Sequence, residues 1–189
     1  FADFAFMEAD TPPECLWFID KGLYLGTLQA TLNEDGELPI LGITHIVNCC
    51  ASDVLTNQHP NNLHMLVRAD GIHVLEVLIK DDGTQKLTPF FNDVNTFIQQ
   101  SQTANGAVLV HCFEGKSRSV TVMLQFLMQH KGMTLREAYG LVSSARQQVR
   151  INNTFCDELE ALDMALHHLD APSMKLKRVK KPVLGRARA

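Results

Sequence analysis

Hydrophobic residues along this chain follow two rhythms, and each predicts a different kind of element. Short apolar runs from Leu16 to about Gly26, turning near Gly22, predict a hairpin-like start. The stretch 42–49, Gly-Ile-Thr-His-Ile-Val-Asn-Cys, is β-branched and reads as a buried strand; residues 73–80 read as another. Residues 107–110, Ala-Val-Leu-Val, are continuously apolar, as a parallel strand covered on both faces should be.

Between and after these runs the period changes to that of a helix. Thr88 is placed to be an N-cap with Pro89 at the first helical position. Phe90, Phe91, Val94, Phe97 and Ile98 then recur on one face. Residues 120–128 are apolar around almost the whole circumference, apart from a stripe of Thr121 and Gln125 that Gln129 continues. Such a helix belongs in the middle of a domain. Thr134-Leu135-Arg136-Glu137 is a capping box that opens a further helix, and a last one runs from near Asn153 to about His168. Strands alternating with helices, then a helical finish, predict an α/β fold with a central mixed, mostly parallel sheet and helices on both faces.

Composition narrows the setting. At 189 residues, 46% hydrophobic and 20% charged, the chain fits one globular domain with short tails. We divide it into a lead-in over 1–14, a domain over 15–170 and a basic, disordered tail over 171–189. The chain opens on Phe1 without a secretory leader pattern, which reads as an excised segment of a longer protein. No apolar run approaches the ~18 residues of a membrane span. Five irregularly spaced cysteines give no zinc-like spacing, so no metal or other cofactor is expected, and free thiols point to an intracellular setting.

The net charge of −4 hides an asymmetry. From Met174 to Ala189 there are seven basic residues and no acidic one, while the body carries 10 Lys and Arg against 21 Asp and Glu. A body at −11 argues against nucleic-acid binding. The tail at +7, with Lys177-Arg178-Val179-Lys180-Lys181 at its centre, reads as a solvated segment, a nuclear-import signal or a docking site for an acidic groove.

The chemistry concentrates in one contiguous stretch: His111-Cys112-Phe113-Glu114-Gly115-Lys116-Ser117-Arg118-Ser119. It joins a buried strand to a buried helix by a very short loop. Successive amides in such a loop, together with the helix N-terminus, form a nest for an anion. Residues 113–118 are therefore the expected phosphate-binding set. Gly115 gives the loop backbone freedom, and Arg118 can grip two phosphate oxygens with its planar fork. Cys112 lies at the bottom of the nest. A thiol titrating near ~8.5 in isolation can be lowered to roughly 3.5–7.5 beside a helix N-terminus and cations, so Cys112 is expected to be a thiolate nucleophile. Ser119 can donate to its sulfur, and His111 is expected to orient the loop. The leaving oxygen needs a proton from a carboxylic acid. Asp81 and Asp82, at the end of the 73–80 strand, both stand where a loop overhangs the C-terminal sheet edge.

With those residues in view, the chain resembles the dual-specificity protein phosphatases from about Leu16 to Leu169, through Tyr24-Leu25-Gly26, the 42–48 strand, Ile79-Lys80-Asp81 and the signature loop. The loop's wording is also similar to that of the plant propyzamide-hypersensitive type of MAP kinase phosphatase. The resemblance implies the cysteine-phosphatase fold and hydrolysis of phosphotyrosine and phosphoserine/threonine through a Cys112 phosphocysteine. It selects Asp81 over Asp82 as the general acid and implies that Asn152 braces the loop. It further implies a phosphoprotein partner such as a MAP kinase, in the cytoplasm and, through the basic tail, the nucleus. Cys50 matches a cysteine that pairs with the nucleophile in the tensin-homologue lipid phosphatase, which makes a Cys112–Cys50 disulfide a further expectation. Two other readings stand beside this one: a phosphoinositide or other non-protein phosphatase, and a non-catalytic phosphoprotein-binding module. Glu114 balancing Lys116 leans towards protein.

Overall fold

Five strands build the sheet on which everything else rests. They are β1 (Leu16–Asp20), β2 (Leu23–Gly26), β3 (Ile43–Asn48), β4 (His73–Glu76) and β5 (Ala107–His111), in the spatial order β1-β2-β5-β3-β4. The computed structural model describes residues 15–32, 36–51 and 71–179. The hairpin β1–β2 is antiparallel, and every other pairing is parallel. The expected lead-in over 1–14 lies outside the described residues.

β5 sits at the centre and is buried at all five positions, as its unbroken apolar run requires. Its side chains alternate between two cores. Val108 and Val110 enter the larger one; Ala107 and Leu109 enter the smaller. The larger core is closed by α2 (Phe91–Thr103), α3 (Arg118–Lys131), α4 (Leu135–Ala145) and α5 (Asn153–His167). The smaller is covered by α1 (Glu37–Ile40) through Leu38 and by the 3-10 turn Leu28–Leu32 through Ala30. Helices do cover both faces, but four long ones share one side.

α3 is buried from Arg118 to Met128. Its polar stripe is satisfied within the core: Gln125 Nε2 donates to Asn95 Oδ1 on α2 at 2.7 Å, and Asn95 Nδ2 donates to Gln129 Oε1 at 2.6 Å. Buried amides that pair in this way fix the register of two helices instead of weakening the core. The capping box at Thr134 forms as expected.

Two boundaries differ from expectation. Strand β4 runs only as far as Glu76; Val77 N–H still donates to Asn48 O at 2.9 Å, and residues 78–80 leave the sheet, although Ile79 stays buried. Thr88 does not cap the helix after it. Residues Thr88–Phe90 form a 3-10 turn, and the Thr88 hydroxyl donates to Glu158 on α5. A partner 70 residues away outcompeted the local cap.

The larger correction concerns the C-terminus. The stretch expected as disordered from residue 171 is fastened to the domain as far as Val179. Met174 packs on the main core and Leu176 is buried. Ser173 N–H donates to Asp163 Oδ2 at 2.6 Å, and Leu176 N–H donates to Glu160 Oε1 at 2.9 Å. Residues 180–189 lie outside the described residues. Among the described residues, no helix is long and apolar enough to cross a membrane.

Candidate active site

The loop at the end of β5 is anchored on both flanks by main-chain bonds. Leu28 N–H donates to Phe113 O at 3.2 Å, and Arg150 N–H donates to Lys116 O at 2.9 Å. Gly115 adopts φ +64°, a region open to glycine, and its outer side backs onto the β1–β2 hairpin. A Cβ there would lie 2.9 Å from Gly26 O and 3.0 Å from the Trp17 ring. Arg146 stacks over that ring, 4.2 Å from its centroid. Ser117 ends the loop as the N-cap of α3, and its carbonyl accepts from Thr121 N and Oγ1 at 2.8 and 2.9 Å.

These constraints frame a cavity of about 340 Å³. Cys112, Phe113, Glu114, Lys116, Ser117 and Arg118 line it from the loop. Asp81, Arg150, Asn152 and Val179 line it from elsewhere in the chain. Cys112 is only 2% exposed, yet it forms part of the cavity wall. Ser119, fully buried below, donates from Oγ to Cys112 Sγ at 3.1 Å. Arg118 is buried too, with a guanidinium nitrogen 3.4 Å from Ile79 O and Nε 4.0 Å from Asp81 Oδ2. Lys116 pairs with Glu114 at 3.3 Å, which offsets its charge at the rim.

The two candidate acids separate cleanly. Asp81 lines the cavity, and its Oδ1 accepts from Ser117 Oγ at 2.8 Å and from Asn152 Nδ2 at 2.6 Å. Asp82 is outside the cavity lining and accepts from Thr84 N and Oγ1 at 2.9 and 2.6 Å. Those two bonds hold its carboxyl below the usual range and favour the ionised form. Asn152 does three things at once. Its Oδ1 caps α5 by accepting from Phe155 N–H, its Nδ2 holds Asp81, and its own N–H donates to Ser117 Oγ at 3.2 Å.

Behind the loop lie more cysteines. All five in the chain are free thiols. Cys50, the expected partner of Cys112, donates from its thiol to Asn48 Oδ1 at 3.3 Å and lies 4.0 Å from Nδ1 of the buried His111. Cys49 is wholly buried; that burial, and then the charge of Cys112, push its thiol well up.

Sequence reasoning missed Arg150 and Val179. Arg150 stands two residues before the helix cap Asn152, a position from which it could have been guessed. Val179 has no such local signal.

Comparison with known proteins agrees with this geometry. The model of the dual specificity phosphatase catalytic domain matches residues 23–164. Dual specificity protein phosphatase 1 of Arabidopsis thaliana is 35% identical over 152 residues, covering 80% of this chain and 71% of that protein. The same plant's dual specificity protein phosphatase PHS1 is 33% identical over 67% of this chain, but that match spans only 13% of its own length. The crystal structure of human DUSP28 superposes with a TM-score of 0.70 at 29% identity, covering 83% of this chain and 97% of that one. On the strength of that domain match and of the cysteine–arginine loop that carries it, the chain belongs to the dual specificity phosphatases.

Proposed function

We propose that the chain hydrolyses phosphotyrosine and phosphoserine/threonine in proteins through a phosphocysteine at Cys112. The observation that carries this reading is the convergence on one cavity of Cys112 and Arg118, from the two ends of the loop, and of Asp81, from a separate stretch of chain. Arg118 and the loop amides of residues 113–118 hold the phosphoryl group. The Cys112 thiolate attacks phosphorus, so an S–P bond forms while the P–O bond to the substrate breaks. Asp81 gives its proton to the leaving oxygen. Water then attacks phosphorus with Asp81 as the base, and the S–P bond breaks as Ser119 stabilises the departing thiolate.

A MAP kinase is the phosphoprotein to test first. The support is the cationic run from Lys177 onward, which suits an acidic docking groove, and the same run supports nuclear residence. Arg178 contributes less to it than its charge suggests, because Asp157 and Glu160 already pair with it.

The test compares turnover of para-nitrophenyl phosphate and a phosphopeptide by the wild type and three variants. Cys112→Ser should be silent. Asp81→Asn should lose on the order of 10²-fold in kcat, the usual worth of a positioned acid. Asp82→Asn should stay within about twofold, because its carboxylate serves a turn. An inactive wild type that still binds the phosphopeptide would favour the binding module; an Asp82 variant as damaged as the Asp81 one would overturn the acid assignment.

A further inference from the structure

The segment after α5 reaches the catalytic cavity at Val179, although it lies beyond the 23–164 stretch that the family model matches. Val179 and Phe113 are the two large apolar residues in the cavity wall. Phe113 is 47% exposed.

The route by which Val179 arrives is specified at each step. Arg136 on α4 donates to Ser173 O, and Asp163 receives the Ser173 N–H. Glu160 receives the Leu176 N–H together with Lys175 Nζ at 2.9 Å and Arg178 at 3.1 Å. Asn153, the first residue of α5, then reads both main-chain groups of Val179. Its Oδ1 accepts the Val179 N–H at 2.8 Å, and its Nδ2 donates to Val179 O at 3.1 Å. The neighbouring Asn152 holds Asp81. One helix N-terminus therefore sets the carboxyl and the valine relative to each other. Arg178 is drawn onto Asp157 and Glu160, so this very basic stretch offers the cavity an isopropyl group.

We infer that the strap 173–179 is a wall of the substrate site, in which Val179, positioned by Asn153, together with Phe113 favours an aryl phosphate over an alkyl one. This rests on the phosphatase reading above and gives it a substrate preference. A phenyl ring carrying phosphate has apolar faces that these two residues can cover. The side chains of phosphoserine and phosphothreonine are shorter and offer little apolar area to cover.

The test measures kcat/KM for a phosphotyrosyl and a phosphothreonyl peptide of identical flanking sequence. Val179→Ala should lower the tyrosine-to-threonine ratio about fivefold, the worth of one or two buried methyl groups, with the change carried in KM. Asn153→Ala, which frees Val179 without altering it, should lower the ratio in the same direction. Asn153→Asp keeps the acceptor and loses the donor, so it should fall between. Binding of both peptides to Cys112→Ser, with and without Val179→Ala, reads the same ratio independently of turnover. A ratio unchanged in Val179→Ala, or equal losses on both peptides, would overturn the inference and leave the strap as a brace. Absence of turnover in the wild type, with the binding ratio still shifted, would sink the catalytic reading alone.

Discussion

The catalytic loop and the C-terminal strap are both short irregular stretches that meet at the same cavity, yet they are held in different ways. The loop is fastened by main-chain bonds, Leu28 to Phe113 and Arg150 to Lys116, and by the packing of Gly115 on Gly26 and Trp17. The strap is fastened by side chains of α5: Asn153, Glu160 and Asp163 reach out to its backbone N–H groups. Two of those three are buried carboxylates. A main-chain fastening depends on shape and ignores pH. A carboxylate fastening depends on charge, and a buried carboxylate that loses its partners is strongly destabilising. The loop is therefore the more sensitive of the two to added atoms, and the strap the more sensitive to pH.

Adding atoms to the loop should have the largest effect. Gly115→Ala forces an L-residue into φ +64° and drives its Cβ to 2.9 Å from the Gly26 carbonyl, a main-chain atom with no room to yield. Displacing the loop by even 1 Å should cost on the order of 10²-fold in kcat/KM. The measurement is steady-state turnover of an aryl phosphate beside the urea midpoint. Activity close to wild type would show that the loop tolerates what its packing forbids.

Removing atoms from the strap should cost stability first. Leu176 is 5% exposed and packs on the main core, so Leu176→Ala should lose about 2–3 kcal/mol, the lower part of the range for such truncations. Activity on the folded fraction should fall less than tenfold, because Asn153 still holds Val179. If instead turnover collapsed as far as in Gly115→Ala while the urea midpoint hardly moved, the division between a shape-held loop and a charge-held strap would be wrong.

The same division explains what could be read from the sequence. Cys112, Arg118 and Ser119 were legible because a nine-residue motif carries its own context, a buried strand before and a buried helix after. The order of elements was legible for a similar reason, since β5 and α3 announce themselves by unbroken apolar runs. Asp81 needed a family resemblance, because nothing local distinguishes it from Asp82; the difference lies in Ser117 and Asn152, which approach from 36 and 71 residues away. Thr88 was misplaced as a cap because its partner Glu158 is just as remote. The strap reads as a tail because its charges dominate its composition. Leu176, one apolar residue between two lysines, and Met174 before it are slight hints, and the carboxylates that bind the strap give no sign of it where they stand on α5.

The smallest effect is also the sharpest test of how the strap is held. Burial raises the Glu160 carboxyl, but the Leu176 N–H, the Lys175 ammonium and the Arg178 guanidinium together outweigh it, and the group ends below the usual range. Asp163 is held down in the same way, against burial, by the Leu135 and Ser173 donors. A carboxylate whose folded pKa is depressed contributes stability that is present above its unfolded value and is lost as pH falls through the folded one. The wild type should therefore lose stability as pH falls below the unfolded carboxylate value of roughly 4.3. Glu160→Gln keeps an oxygen for the Leu176 N–H but removes the charge facing Lys175 and Arg178, both partly exposed and so screened by solvent. It should cost about 1 kcal/mol at pH 7 and make the acid limb of the urea midpoint shallower by up to one proton, while the Asp163 contribution remains. Parallel acid limbs in the two proteins would mean that hydrophobic packing at Leu176 holds the strap and that its ion pairs are incidental.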